Sequence, residues 1–301
     1  MIKGVALSIL ASCLFGLLYY YPVLLQPLST VDIFCWRLLT SFPAIVVLIF
    51  IEKQWSSITA LFIRIKNQPF LLIGLLFSSF LLTIQMLIFI WAPINGHGLS
   101  ASLGYFLLPL SMVVFGQIFY KERLSIFQKI AVILASVGVI LEIYITGAFS
   151  WETAIIALGY PIYFMTRRKL QIEGISGTFS DFFFIFLGCL IYFILHYSFI
   201  RVISDLSHFH IFIPMLGIIT AIAFAMYFVA RRLLPLGLFG LLGYVEPVLL
   251  TLVSVLFLHE SVSKEHIVPY GLIWLSVCVL ALEGCIYLLH AVRRKKIKIE
   301  G

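Results

Sequence analysis

The sequence predicts an all-α membrane protein of ten transmembrane helices, arranged as two inverted five-helix repeats over residues 1–147 and 148–301. Three observations carry this prediction. The chain is 62% apolar and only 11% charged, whereas soluble domains run nearer half apolar and a quarter charged. Its apolar residues gather into runs long enough to cross a bilayer, which takes about twenty residues. One of these runs also returns. Residues 103–125 read LGYFLLPLSMVVFGQIFYKERLS and residues 242–263 read LGYVEPVLLTLVSVLFLHESVS. Leu-Gly-Tyr opens both, a proline follows (Pro109, Pro247), and a glutamate stands at the same distance beyond each proline (Glu122, Glu260).

Taken in order, the predicted spans are 4–25, 33–51, 69–91, 97–119, 125–146, 151–167, 177–200, 211–230, 236–258 and 267–290. The first contains Leu10-Ala-Ser-Cys13, which has the pattern of a lipoprotein cleavage box. The apolar run continues past it to about Leu25, which fits a retained helix better than a removed signal. Most connections are short, so successive helices are antiparallel neighbours. The longest, 52–68, carries Trp55, Arg64 and Lys66 and fits a surface helix. The five cysteines (Cys13, Cys35, Cys189, Cys278, Cys285) lie in apolar stretches without paired spacing. That pattern predicts neither a disulfide nor a metal site.

Orientation follows from lysine and arginine, which favour the cytoplasmic side. With the N-terminus inside, seventeen of the twenty basic residues fall on that side, and only Arg37, Arg201 and Lys264 fall on the other. Both termini are therefore expected in the cytoplasm of a cell inner membrane. The formal charge of +7 is a topology signal, and no nucleic-acid partner is expected.

Five spans per half place the second repeat upside down relative to the first. Tyr105 and Tyr244 each stand about eight residues into their predicted helices, or roughly 12 Å at 1.5 Å per residue. Both are expected near the middle of the bilayer. Inverted repeats with a midplane site are the architecture of alternating access.

At these residues the chain resembles the EamA-type members of the drug/metabolite transporter superfamily, and within them the RarD group. The resemblance covers nearly the whole chain. It rests on Trp91-Ala92, Asn95, the stretch 100–106 (SASLGYF), Pro109 and Glu122-Arg123-Leu124. Gly16 with Tyr20, Asp32 with Arg37, and Gly243-Tyr244 with Pro247 also fit. Gln85-Met86 stand where the group usually has Asn-Trp, Phe164 follows Tyr163 where a glycine is usual, and Asp32 and Asp181 replace glutamates. The resemblance implies a ten-helix transporter of small metabolites or drugs, commonly an exporter. It does not name the cargo.

Glu246 is the sharpest candidate for chemistry. It directly precedes Pro247 in a long apolar stretch. An isolated carboxylate there is costly unless paired, hydrated or protonated. It fits a proton carrier or the counter-ion of a cationic substrate; alternatively, it is a protonated carboxyl bonded to a backbone carbonyl that Pro247 leaves free. Tyr105 and Tyr244, with Glu246, would form an aromatic pocket suited to a cationic or aromatic molecule. Arg37 has two readings: it binds a substrate carboxylate or an acid such as Glu246, or it snorkels outward and pairs with Asp32. Gln85, Trp91 and Asn95 are expected to line an outer vestibule, and Tyr20 and Tyr163 join the substrate-contacting candidates. Glu122 and Glu260 suit bonds to backbone groups of a neighbouring helix or loop, while Glu142 and Glu283 read as structural.

Other classes find little support. No phosphate-binding loop and no GxSxG elbow occur, and His259-Glu260 lacks the second histidine of a zinc-protease helix. No cofactor is expected, and a membrane-embedded enzyme is disfavoured. The reading is a secondary transporter of a small amphipathic or cationic molecule, proton-coupled through Glu246, working as an exporter. Uptake of a quaternary ammonium nutrient is the alternative. Expected partners are a small-molecule substrate and the lipid bilayer, with the chain a monomer or homodimer.

Overall fold

An apolar run in hydrocarbon must satisfy its backbone polar groups internally, which a helix does within one segment. The computed structural model follows that rule throughout. It describes residues 2–51, 53–121, 123–146, 150–172, 175–234, 238–239, 242–261 and 264–300, and no strand occurs among them. In order, the helices are α1 (Ile2–Tyr20), α2 (Thr30–Ile51), α3 (Trp55–Asn67), α4 (Phe70–Ile94), α5 (Gly98–Tyr120) and α6 (Ile126–Thr146). They continue as α7 (Trp151–Leu170), α8 (Ile175–His196), α9 (Phe199–His208), α10 (Phe212–Leu233), α11 (Val245–Leu256) and α12 (Ile267–Glu300).

Among the described residues, eight helices are long and apolar enough to cross a membrane. The other two predicted spans coincide with α7 and α11. Helix α7 carries Glu152 in its first turn and Arg167, Arg168 and Lys169 in its last, and α11 has only 12 residues. The expected surface helix in 52–68 is present as α3. It buries Ile58 and Leu61 and leaves Trp55, Phe62 and Ile63 exposed. The loop after α8 holds an unforeseen helix, α9, started by Ser198, whose side chain accepts from the Arg201 amide.

The ninth span departs from the sequence reading. A single helix over 236–258 was expected, with Glu246 in its middle. Residues 236, 237, 240 and 241 lie outside the described residues, and α11 begins only at Val245, with Glu246 in its first turn. Pro247 stands in the first turn of α11, where its missing N–H costs nothing, because the first N–H groups of a helix have no intrahelical acceptor. In the first copy α5 runs through Pro109 without ending. The two copies agree at their far ends, where Lys121 (φ 55°) and His259 (φ 55°) adopt the left-handed conformation immediately before Glu122 and Glu260. That conformation closes a helix C-terminus. Glu122 itself lies outside the described residues.

The helices gather into two compact units, each drawing on both halves of the sequence. One comprises Met1–Gly16, Gly96–Leu158 and Met226–Gly301. Its core joins α5, α6 and α12 through Leu103, Phe106, Ala131, Ala135, Ile273 and Val277. The other comprises Leu17–Asn95 and Gly159–Ala225, with α2, α4 and α8 packed together. Large apolar side chains such as Phe70, Ile140, Ile194 and Leu195 remain exposed along the helices, the face that lipid covers in a membrane protein.

Close helix approach in the second unit depends on Gly217 of α10. A Cβ there would stand 2.5 Å from Thr40 Cβ and 2.8 Å from the Thr40 backbone carbon of α2. Backbone cannot rotate aside as a side chain can. Gly217→Ala should therefore lower unfolding stability by about 1–3 kcal/mol, as overpacking does, read as a depressed thermal midpoint in detergent.

Candidate substrate-binding site

The first unit holds the carboxylate singled out above. Glu246 is half-buried at the start of α11, and Tyr227 lies within electrostatic reach of both Glu246 and Arg231. Rings gather on Tyr227: Phe239 at 4.8 Å between centroids, edge-on, and Phe15 at 6.3 Å, also edge-on. An acid beside clustered aromatic faces is an arrangement that attracts a cation.

Tyr105 is buried on α5 at 8% exposure. Its backbone carbonyl faces the missing N–H of Pro109. Tyr244 caps α11. Its ring packs on the core formed by Leu103, Phe106 and their neighbours, and Glu283 acts on it electrostatically. Tyr244 therefore has a packing role in this unit.

Three other acids of this unit hold the fold. Glu260 accepts from the backbone N–H groups of Gly98 and Leu99, each at 2.7 Å, one bond per carboxylate oxygen. It therefore caps the N-terminus of α5 from the end of α11, and the carboxylate also complements the helix dipole. Glu142 pairs with His266 at 2.9 Å, and Glu152 with His97 at 2.6 Å. Glu260→Ala should remove about 1–2 kcal/mol, the value of a helix cap, and urea unfolding in mild detergent would measure it.

In the second unit, Arg37 is buried at 4% exposure. Its Nε donates to Thr220 Oγ1 of α10 at 3.1 Å, and its guanidinium carbon stands 5.4 Å from the centre of the Phe89 ring of α4. Phe89 in turn meets Tyr19 edge-on at 5.0 Å. The snorkelling reading of Arg37 is overturned. Asp32 is engaged instead by Arg201 Nη2 at 3.2 Å and by Tyr192 Oη at 3.0 Å. Arg37 stays inside because Thr220 and Phe89 hold it among helices rather than at their ends.

The vestibule candidates divide. Gln85 is 1% exposed, and its amide lies directly over Gly159 of α7, which leaves the room. Trp91 is half-buried. Asn95 is exposed and ends α4, its Nδ2 donating to the Trp91 carbonyl at 2.8 Å. Tyr20 is half-buried at the end of α1.

Tyr163 belongs to a closed polar cluster that sequence reasoning missed. Its hydroxyl donates to Asp181 Oδ2 at 2.8 Å and accepts from Arg167 Nη1 at 2.6 Å. Arg167 Nη1 also reaches Asp181 Oδ2 at 3.0 Å. Ser78 and Ser79 donate to Asp181 Oδ1 at 2.6 and 3.1 Å. The carboxylate is 0% exposed, yet four side chains satisfy it. In the sequence Arg167 reads as an inside charge that agrees with the family pattern, and Asp181 as a departure from it. The available signal was an aspartate opening the run DFFFIF, with a Ser78-Ser79 pair in another apolar span. Among the described residues no three metal-ligating side chains converge.

No protein-family model matches the chain. It is 41% identical over 294 residues to the chloramphenicol-sensitive protein RarD of Pseudomonas aeruginosa, covering 97% of this chain and 98% of that one. It is 39% identical to an uncharacterized transporter of Pasteurella multocida, covering 96% and 98%. Protein RarD of Escherichia coli K12 is 29% identical, covering 94% and 95%. A solved crystal structure shares the fold with a TM-score of 0.52 at 20% identity, covering 93% of this chain and 98% of the other.

Proposed function

Because the chain belongs to the RarD group of the drug/metabolite transporter superfamily, a group of multi-pass membrane transporters, we propose that it exports a small amphipathic or cationic metabolite or drug by alternating access. In this reading, ten spans form inverted repeats over 1–147 and 148–301, with both termini cytoplasmic. The observation that carries it is Glu246, a carboxylate at the start of a helix shorter than a span, beside Tyr227 and its ring neighbours. Interrupted helices are where membrane transporters place substrate and coupling-ion sites. Glu246 neutralises a cationic cargo or exchanges a proton with it. Tyr105 and Tyr244 border the path, and Tyr244 combines that role with its packing.

A second reading has its own observation. Arg37, buried against Thr220 and Phe89, suits a substrate carboxylate, with Gln85, Trp91, Asn95 and Tyr20 on the same unit as candidate contacts and Tyr163 more remote in role.

A thermal-shift screen of the purified protein against metabolites and drugs, at about pH 5.5 and 7.5, separates the two. Ligand at a hundred times its Kd stabilises the folded state by about 2.7 kcal/mol. A cationic compound that stabilises wild type but not Glu246→Gln supports the first reading. Stabilisation by carboxylates only, lost in Arg37→Ala, replaces it with the second. Uptake of a quaternary ammonium would use the first site in reverse, and counterflow in right-side-out and everted vesicles sets the direction.

A further inference from the structure

Cys35 and Cys189 lie on α2 and α8, far apart in sequence, and their spacing predicted no partnership. Helix packing brings them together. They are buried at 2% and 3% exposure, and both are free thiols. Both line one cavity of about 320 Å³ between α2, α4 and α8, walled by Phe34, Leu76 and Ile185, with Thr83 and Tyr192 as polar members. Val31, Leu76 and Phe80 of its rim are exposed, so the cavity opens on an apolar face.

Ligand number and net charge narrow the ligand chemistry. Zinc takes four ligands in a structural site, and no third histidine, cysteine or acid joins the pair among the described residues. A monovalent soft ion such as Cu(I) held by two thiolates leaves a net negative charge, which is costly in an apolar cavity. A trivalent monoorganic arsenical avoids both problems. It takes two sulfurs, and its dithiolate is neutral.

We propose that Cys35 and Cys189 form a two-thiol site that captures trivalent monoorganic arsenicals, with the organic group seated in the cavity between α2, α4 and α8. The step is R–As=O + 2 Cys–SH → R–As(S–Cys)2 + H2O. Two As–S bonds form, the As=O bond is lost, and both thiol protons leave with the oxygen as water. Arsenic stays trivalent and no electron is transferred, so no oxidant is required. No thiolate has to persist in the apolar cavity. The product ties α2 to α8.

The test is intact-protein mass spectrometry of the full chain in detergent with phenylarsine oxide. The expected result is one adduct that survives excess 2-mercaptoethanol and is released by 2,3-dimercaptopropanol. Two-point attachment exceeds one-point attachment by about 10²–10⁴-fold in retention, so Cys35→Ser and Cys189→Ser should each lose the adduct under the monothiol wash. Cys13→Ser and Cys278→Ser should keep it. An adduct retained in Cys35→Ser or Cys189→Ser, or none in wild type, overturns the proposal. Peptide mapping of the wild-type adduct decides it without variants, because arsenic that does not bridge the fragments carrying Cys35 and Cys189 refutes the site.

Discussion

Asp181→Asn is expected to lower the unfolding free energy by about 3–5 kcal/mol, the cost of removing one member of a buried ion pair. The loss comes from what is left behind. Arg167, with a side chain 8% exposed, would keep its charge without the carboxylate that balances it. Ser78, Ser79 and Tyr163 would also lose an anionic acceptor. Arg167 Nε still donates to the Ile172 carbonyl at 2.9 Å, so the guanidinium cannot simply swing out. The double variant Asp181→Leu/Arg167→Met should be less destabilised than Asp181→Asn alone, because it removes both charges. Chemical unfolding in detergent measures both. A double variant as unstable as the sum of its singles would show that the cluster is not acting as a pair.

Glu246→Gln should abolish transport while leaving the fold intact. Glutamine has nearly the same shape, so packing at the start of α11 survives. It cannot carry a proton or balance a cation. Removing one partner of a desolvated charge pair costs about 2–5 kcal/mol, so affinity for a cationic cargo should fall by more than about thirtyfold. Everted vesicles with an imposed proton gradient provide the assay, with circular dichroism and thermal midpoint as the controls for folding. Full activity in Glu246→Gln would remove both the counter-ion and the proton-carrier role. The contrast with Asp181 is informative, since one acid is expected to affect stability and the other activity.

Much of this was legible in the residues. Run length placed eight helices long and apolar enough to cross a membrane, since only about twenty apolar residues reach across hydrocarbon. Trp55, Arg64 and Lys66 marked the surface helix α3, and the recurrence of Gly-Tyr, Pro and Glu marked Glu260, which caps α5. Composition also misled in places. Arg37 was left open between the interior and the surface because a long cationic side chain has both options from the same backbone position. Glu246 was placed mid-helix because hydropathy does not register a helix start, although Pro247, which suits a first turn, was in plain view. Tyr163 was put with the substrate contacts because nothing in its own span revealed Asp181 across from it.

The sequence by itself determined where eight long apolar helices lie, the family the chain belongs to, and where an acid meets a proline. These properties depend on residues close together in the chain, on run length and on backbone chemistry. Only the tertiary structure decided that Arg37 meets Thr220 and Phe89, that Asp181 balances Arg167, and that Cys35 and Cys189 line one cavity. Nearly every face of an apolar membrane helix is apolar, so its sequence carries little record of which side meets another helix. The meeting is settled by van der Waals fit between segments far apart in the chain.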